Sequence, residues 1–180
     1  YRTNVAFAGT TAQRGTVRVK LRNASGALIG EGTKDILPNG QTQIDRVFDA
    51  LGAPATTVAR AEVTSDVPVV AFATVIDERT GDPFAVLAQK ASAASVDLVV
   101  PSTAHKDGAN SAKYRSDLRI FNPSAEAATV TLALYPGGAT TSSPVTRTLP
   151  LAAGALGGLG DVLAGTFGLF DAYGALGMPS

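Results

Sequence analysis

Apolar and polar positions alternate with a period of two along much of the chain. In residues 16–22, every second side chain is apolar, and the side chains between them are Arg18, Lys20 and Arg22. Alternation of this kind places apolar groups on one face of a β-strand and polar groups on the other. Because the segments are short and are separated by turns rich in Gly, Asn, Asp and Pro, the pattern predicts an all-β protein of antiparallel β-sandwich type.

The pattern occurs twice. Residues 1–7 (Tyr-Arg-Thr-Asn-Val-Ala-Phe) return as residues 114–120 (Tyr-Arg-Ser-Asp-Leu-Arg-Ile), 113 positions later. Residues 16–21 match residues 129–134 at the same spacing, with every apolar position in phase. We therefore predict two related sandwich units in tandem, residues 1–92 and 93–180, each with at most one short helical turn.

Two segments depart from the strand pattern. Residues 42–51 carry apolar side chains at helical spacing and are followed by Gly52 and Pro54, which predicts one or two helical turns. Residues 149–170 are apolar enough to suggest a membrane span. Asp161, several glycines and a polar counterpart in the first unit favour a buried loop and strand instead.

The repeat pattern is incomplete at opposite ends of the two units. The first unit has no copy of the lead-in segment 96–113, and the second has no copy of residues 66–89. Unpaired sheet edges can accept a further strand. We expect the partner to be a second copy or a neighbouring protein module joined through open edges; the alternative is a piece of a longer array.

Composition excludes several classes of function. The 15 Lys and Arg residues balance the 15 Asp and Glu residues, so the excess positive charge that nucleic-acid binding requires is absent. The chain has no cysteine, which excludes disulfide frameworks, thiolate nucleophiles and Cys-based metal sites. With 45% hydrophobic residues the chain can fill a core. We expect no cofactor, no nucleic-acid partner and no membrane span.

Basic residues form the first candidate binding site. Arg18, Lys20 and Arg22 project from one strand face, and Arg14 lies close by in the sequence. Guanidinium groups form bidentate hydrogen bonds with carboxylates and sulfates. This face is therefore a candidate binding site for carbohydrate or an anionic cell-surface polymer. The favoured interpretation is a solvated outer face, which a half-exposed sheet requires in any case.

Two further constellations carry candidate chemistry. Asp77, Glu78 and Asp82 place three carboxylates within six residues and are a candidate calcium site, but a solvated hairpin turn is the favoured interpretation. His105, the single histidine, is a candidate general base, and Asp107 is near it in the sequence, together with Ser102 and Ser111. Because a catalytic triad gathers residues from separate elements, an exposed loop histidine is the favoured interpretation.

The repeated segments resemble those of known proteins. Residues 1–5 and residues 114–123, the latter ending in Asn-Pro, are similar to tandem-repeat secreted bacterial β-sandwich proteins of unknown function. More distantly, residues 65–70 (Ser-Asp-Val-Pro-Val-Val), followed by Asp-Glu-Arg at 77–79, resemble the sensory rhodopsin transducer family of soluble, oligomeric β-sandwiches. The resemblance implies a sandwich fold and self-association, and it implies no catalytic residue.

These observations favour a non-enzymatic structural, spacer or adhesive module. The resemblance places it in bacteria, outside the cell, on the cell surface or in the periplasm. A ligand-binding module that uses the basic strand face is the alternative, and a hydrolase centred on His105 is the third hypothesis.

Overall fold

A computed structural model describes residues 1–90, 97–138 and 143–179 of the chain. Within those ranges it contains fourteen strands and only short helical turns, which confirms the prediction of an all-β protein. The chain divides into two compact units, Tyr1–Lys90 and Ala91–Ser180, close to the predicted boundary. Residue 96, where the lead-in segment 96–113 begins, lies outside the described residues.

The first unit consists of two antiparallel sheets packed on a common core. Its elements are β1 (Arg2–Gly9), β2 (Gly15–Asn23), β3 (Leu28–Ile36), β4 (Gln41–Ile44), the helical turn α1 (Val47–Ala50), β5 (Ala59–Ser65), β6 (Val69–Ile76) and β7 (Pro83–Leu87). One sheet has the order β4-β1-β6-β7 and the other the order β3-β2-β5. Phe7 from the first sheet and Val17 and Val19 from the second are fully buried, because alternate residues of both sheets face inward.

The second unit has the same two-layer construction. Its strands are β8 (Leu98–Asp107), β9 (Lys113–Arg115), β10 (Leu118–Phe121), β11 (Ala128–Pro136), β12 (Val145–Leu151), β13 (Leu156–Leu159) and β14 (Ala172–Met178). A five-stranded sheet has the order β12-β11-β14-β8-β9, and a two-stranded sheet pairs β10 with β13. The core is built around Leu132, Leu163 and Leu176, which are fully buried.

The strand registers of the two units agree at positions related by the sequence repeat. Val5 lies opposite Ile44 in the first unit, and their counterparts Leu118 and Leu159 lie opposite each other in the second. The match extends to the turns that follow β4 and β13, where the equivalent side chains of Asn4 and Asp117 accept a backbone N–H. The two units therefore share their strand pairing as well as their sequence pattern.

The predicted helix at residues 42–51 was wrong in its first half. Residues 41–44 form strand β4, because their backbone pairs with β1, and only Val47–Ala50 is helical. The helix begins after Arg46, whose left-handed backbone (φ 46°) separates the strand from the turn. Pairing with a neighbouring strand, which periodicity does not reveal, overrides the helical spacing of the apolar side chains.

Both units cap this turn in the same way, and sequence reasoning missed the interaction. The side-chain oxygen Oδ1 of Asn4 accepts a hydrogen bond from the backbone N–H of Arg46 at 2.9 Å. In the second unit, Oδ1 of Asp117 accepts one from the N–H of Asp161 at 2.8 Å. Asp161 is also left-handed (φ 43°), so the Asn/Asp of the repeated motif serves the backbone of the turn.

The apolar segment 149–170 contributes to the core of the second unit. It contains the end of β12, strand β13 and one turn of π-helix, Val162–Phe167, which the sequence interpretation as loop and strand did not include. Val162 and Leu163 are fully buried. Within the described ranges, no helix has the length and apolar character needed to cross a membrane.

The Asn-Pro turn of the second unit is held by a buried amide. The Nδ2 group of Asn122 donates to the backbone carbonyls of Glu126, Leu151 and Ala152 at 2.8, 3.3 and 3.0 Å. Its Oδ1 accepts from the backbone N–H and the hydroxyl of Ser124 at 3.0 and 2.8 Å. Because Asn122 is only 5% exposed, these protein groups take the place of water as its hydrogen-bond partners.

We predict that Asn122→Asp destabilises the protein by about 1–3 kcal/mol, because it replaces the donating amide with a carboxylate facing three carbonyl oxygens. Asn23→Asp is the matched control. The side chain of Asn23 also organises a turn, but only its oxygen is used, accepting from Ser25 and Ala27. The control should change the free energy of unfolding in urea by less than about 0.5 kcal/mol. Equal losses for the two variants would contradict this assignment.

Candidate functional site

His105 lies on a strand and is mostly buried, so the expectation of an exposed loop histidine was wrong. Strand β8 continues to Asp107, and His105 lies opposite Ala172 of β14. Its side chain is 16% exposed. Gly and Asn residues beyond Asp107 form the turn to β9, which is why the surrounding sequence resembles a loop.

His105 is paired with Asp161 from the turn that follows β13. The Nδ1 atom of His105 lies 2.7 Å from Oδ2 of Asp161, and the Nε atom of Arg115 lies 3.8 Å from the same oxygen. The ring of Phe170 packs edge-on against the imidazole at a centroid distance of 5.1 Å. The second carboxylate oxygen, Oδ1, is buried and has no hydrogen-bond partner among the described residues.

The neighbours that the sequence offered to His105 serve other groups. Asp107 accepts hydrogen bonds from Arg115 at 2.7 Å and from Lys113 at 3.2 Å. The hydrogen bond from Arg115, followed by that from Lys113, holds the pKa of Asp107 below its ordinary value. In the described part of the chain, His105 makes no hydrogen bond to a serine or threonine hydroxyl. The cluster ties the β8–β9 hairpin to the π-helical turn and lacks a nucleophile in contact with the base.

The basic strand is neutralised by acids from its two neighbours. Arg18 contacts Glu31 of β3 at 2.8 Å, and Arg22 contacts Glu62 of β5 at 2.8 Å. Lys20 lies opposite both acids in the strand register. The predicted face therefore carries both signs of charge and is not a continuous positive surface. Arg14 is exposed in the connection before β2.

Glu62 is the centre of this charged face. It also pairs with Arg60, whose Nη1 lies 2.5 Å from Oε1. Burial acts to raise the pKa of Glu62, but the hydrogen bond from Arg22 and the charges of Arg60 and Arg22 outweigh it, so the pKa is lowered. The sequence could not identify this cluster, because its members come from two strands whose register is set by folding.

The three carboxylates of the β6–β7 turn do not converge on a common point. Asp77 accepts the backbone N–H of Arg79 at 2.8 Å, and this bond is the main reason that its pKa is lowered. Glu78 pairs with Arg46 at 3.2 Å and lies 3.9 Å from the N-terminal ammonium. In the ranges that the structure covers, no group of three or more His, Asp and Glu side chains is arranged to hold a metal ion. The carboxylates of Asp77, Glu78 and Asp82 therefore lie in the turn between β6 and β7 without converging on the candidate calcium site.

The two units differ most at their sheet edges. In the first unit β1 lies between β4 and β6, whereas its counterpart β10 pairs with β13 alone among the described strands. Conversely, β14 of the second unit lies between β11 and β8, whereas its counterpart β5 pairs only with β2 in the described chain. Among the described strands, β6 and β7 of the first unit thus have no counterpart in the second, and β8 and β9 of the second have none in the first.

The unmatched strands leave inward-facing residues uncovered. Leu176 on β14 is fully buried, whereas its counterpart Ala61 on β5 is exposed. All five residues of β7 are exposed, including Phe84 at 56% and Val86 at 50%. Strand pairing places Val86 on the same sheet face as Ala73, which packs on the core. Among the described strands, β7 therefore combines an edge position in its sheet with exposed apolar side chains.

No protein-family model matches the chain, and a search of curated proteins found no match. The functional interpretation therefore rests on the geometry of this chain.

We predict that Glu62→Gln lowers stability near pH 7 by less than about 1 kcal/mol, because partial exposure screens the ion pairs. A carboxylate whose folded pKa lies below 4.5 stabilises the protein above that pH, and this contribution disappears as the pH falls through the folded pKa. The difference between wild type and variant in urea unfolding should therefore shrink below about pH 4.5. A difference that grows on acidification would contradict the assignment.

We predict that Asp161→Asn costs about 1 kcal/mol, because asparagine preserves the left-handed backbone but removes the charge facing His105 and Arg115. Asp171→Asn is the matched control. Asp171 is also left-handed (φ 51°), and it pairs with Lys106 at the surface, where its side chain is 79% exposed. The control should stay within about 0.5 kcal/mol of wild type in urea unfolding. A larger effect at Asp171 would refute the structural role of Asp161.

Proposed function

We propose that the chain is a non-enzymatic structural module, a spacer or adhesive element, that associates with further copies by adding strands at open sheet edges. The observation that carries the proposal is that, among the described strands, β5 and β10 each pair with one neighbour, whereas their counterparts in the other unit each pair with two. Open edges of this kind are the established route to strand addition between chains.

The polar clusters support a structural role. The Asn122 turn, the Asn4 and Asp117 caps and the charged face around Glu62 all hold the fold together through contacts within one unit. His105 is paired with Asp161 and packed by Phe170, and it has no nucleophile in hydrogen-bond contact among the described residues. Chemistry-bearing residues are thus engaged in structure rather than assembled around a cavity.

A location outside the bacterial cytoplasm is part of the proposal. It is supported by the resemblance to secreted bacterial repeat proteins and by the absence of cysteine, which suits an oxidising compartment. The candidate partner is a second molecule of the same chain.

We predict that the chain self-associates with rising concentration. Sedimentation velocity between about 1 μM and about 1 mM should show a mass that increases from that of one chain. Because strand addition depends on backbone hydrogen bonds and apolar contact, association should persist in about 1 M salt, where surface ion pairs are screened. His105→Ala should associate as wild type does. A mass of 18.2 kDa at every concentration would contradict the proposal.

A further inference from the structure

Strand β7 is an uncharged, exposed sheet edge in the first unit. Among the described strands it pairs with β6 alone and ends the sheet β4-β1-β6-β7. Its sequence is Pro-Phe-Ala-Val-Leu, and Leu87 is 69% exposed. Edge strands are commonly protected from pairing by charged side chains, as on β9, where Lys113 and Arg115 flank a tyrosine. Strand β7 has no such charge within its length.

The outer side of β7 presents backbone groups in a regular order. On its inner side, the N–H of Ala88, just after the strand, donates to the carbonyl of Ala71 on β6 at 2.9 Å. Because the direction of these groups alternates along a strand, Ala85 and Leu87 direct their N–H and C=O groups away from β6. None of these outward groups has a hydrogen-bond partner among the described residues. Pro83, which has no N–H, also occupies an outward position, where the pairing with β6 loses no hydrogen bond.

This edge is complementary to a second copy of itself. When two β7 strands meet antiparallel with Val86 opposite Val86, Ala85 of each copy lies opposite Leu87 of the other. Both members of such a pair direct N–H and C=O across the contact, so they exchange two hydrogen bonds, and the two-fold axis repeats the pair. One strand thus supplies both halves of the contact.

Side chains on the inward face of β7 are apolar on both sides of the axis. Phe84 and Val86 lie opposite Val75 and Ala73 of β6, and Ala73 packs on the core of the first unit. Phe84 is 56% and Val86 50% exposed. Pairing of two β7 strands brings the Val86 side chains together and places Phe84 on either side of them, which removes apolar surface from water.

Charged residues beyond the two ends of β7 favour the same register. Asp82 precedes the strand and Lys90 follows it, and both are exposed. Neither has an ion-pair partner among the described residues. With Val86 opposite Val86, continuing the register sets Asp82 of each copy opposite Lys90 of the other. A register centred on Ala85 would set Asp82 opposite an alanine instead, so opposite charges select the first arrangement.

We propose that two copies of the chain associate through β7, antiparallel about a two-fold axis with Val86 opposite Val86. The four-stranded sheets of the two copies then continue into each other. This inference rests on the proposed function and specifies the edge that a second copy uses. Because both copies contribute the same surface, the contact closes at two chains.

A proline variant tests the backbone contact. Leu87→Pro removes an N–H that the contact uses and the pairing with β6 does not, so the variant should fold, as circular dichroism and thermal unfolding would verify. Dimerisation should weaken about tenfold or more in sedimentation velocity, because the two-fold axis doubles the loss. Leu87→Ala keeps the N–H and is the matched control, with dimerisation within about threefold of wild type. Equal association of Leu87→Pro and wild type, or equal losses in the two variants, refutes the backbone pairing.

A single cysteine tests the register, because the chain has no cysteine of its own. Val86 faces its own copy in a pair without mutual hydrogen bonds, where Cα atoms are about 4.5 Å apart, a distance that a disulfide can bridge. Val86→Cys should therefore give a disulfide-linked dimer on mild oxidation, measured by non-reducing electrophoresis and intact mass. Phe84→Cys is the matched control on the same face, because this register separates its two copies by about 14 Å.

The outcomes separate the contact from the proposed function. If Leu87→Pro does not fold, the two cysteine variants decide. If wild type associates but Val86→Cys remains uncross-linked, or Phe84→Cys cross-links equally well, the β7 contact is refuted and the proposed function stands. If wild type is monomeric up to about 1 mM, both fail.

Discussion

The need of every β-strand to pair its backbone on both sides governs this protein. A strand enclosed between two others satisfies its N–H and C=O groups within the sheet, whereas an edge strand presents one row to water or to another chain. The repeat places equivalent strands in both situations. Among the described strands, β1 has neighbours on both sides and its counterpart β10 on one, while β14 has neighbours on both sides and its counterpart β5 on one. The exposed apolar residues of β7 and β8 follow from this arrangement. In each unit, one sheet has more strands than the sheet that faces it, so its outer strands are not covered.

The same constraint explains the polar residues of the repeated motif. Each turn that leaves a strand has backbone groups without a ladder partner, and these must be satisfied by side chains or water. Asn4 and Asp117 supply oxygens to equivalent left-handed residues, and Asn122 supplies an amide to three carbonyls. The charged clusters differ between units, with Arg22 and Glu62 in one and His105 and Asp161 in the other. The cap of the turn after β4 and after β13 is thus shared by the units, whereas these side-chain pairs are specific to each.

Much of the fold could be predicted because a two-residue period and a repeat are local properties. The alternation around Val17 and Val19 identified the buried face correctly. The prediction of a helix over residues 42–51 failed in its first half, because pairing of β4 with β1 is a contact between distant segments. The prediction of an exposed loop position for His105 failed for the same reason. Its partner Asp161 lies 56 positions away, and local sequence patterns do not reveal contacts at that distance.

The amino-acid sequence by itself determined the all-β class, the tandem repeat and the inward-facing apolar positions, since side-chain alternation follows directly from strand geometry. Tertiary structure decided which charges neutralise one another and which edges remain open. Glu31 and Glu62 cancel much of the charge on the basic strand only because the register brings β3 and β5 alongside it. Register and sheet order arise from packing of the whole unit, so a candidate site that depends on them becomes visible only after the strands are placed.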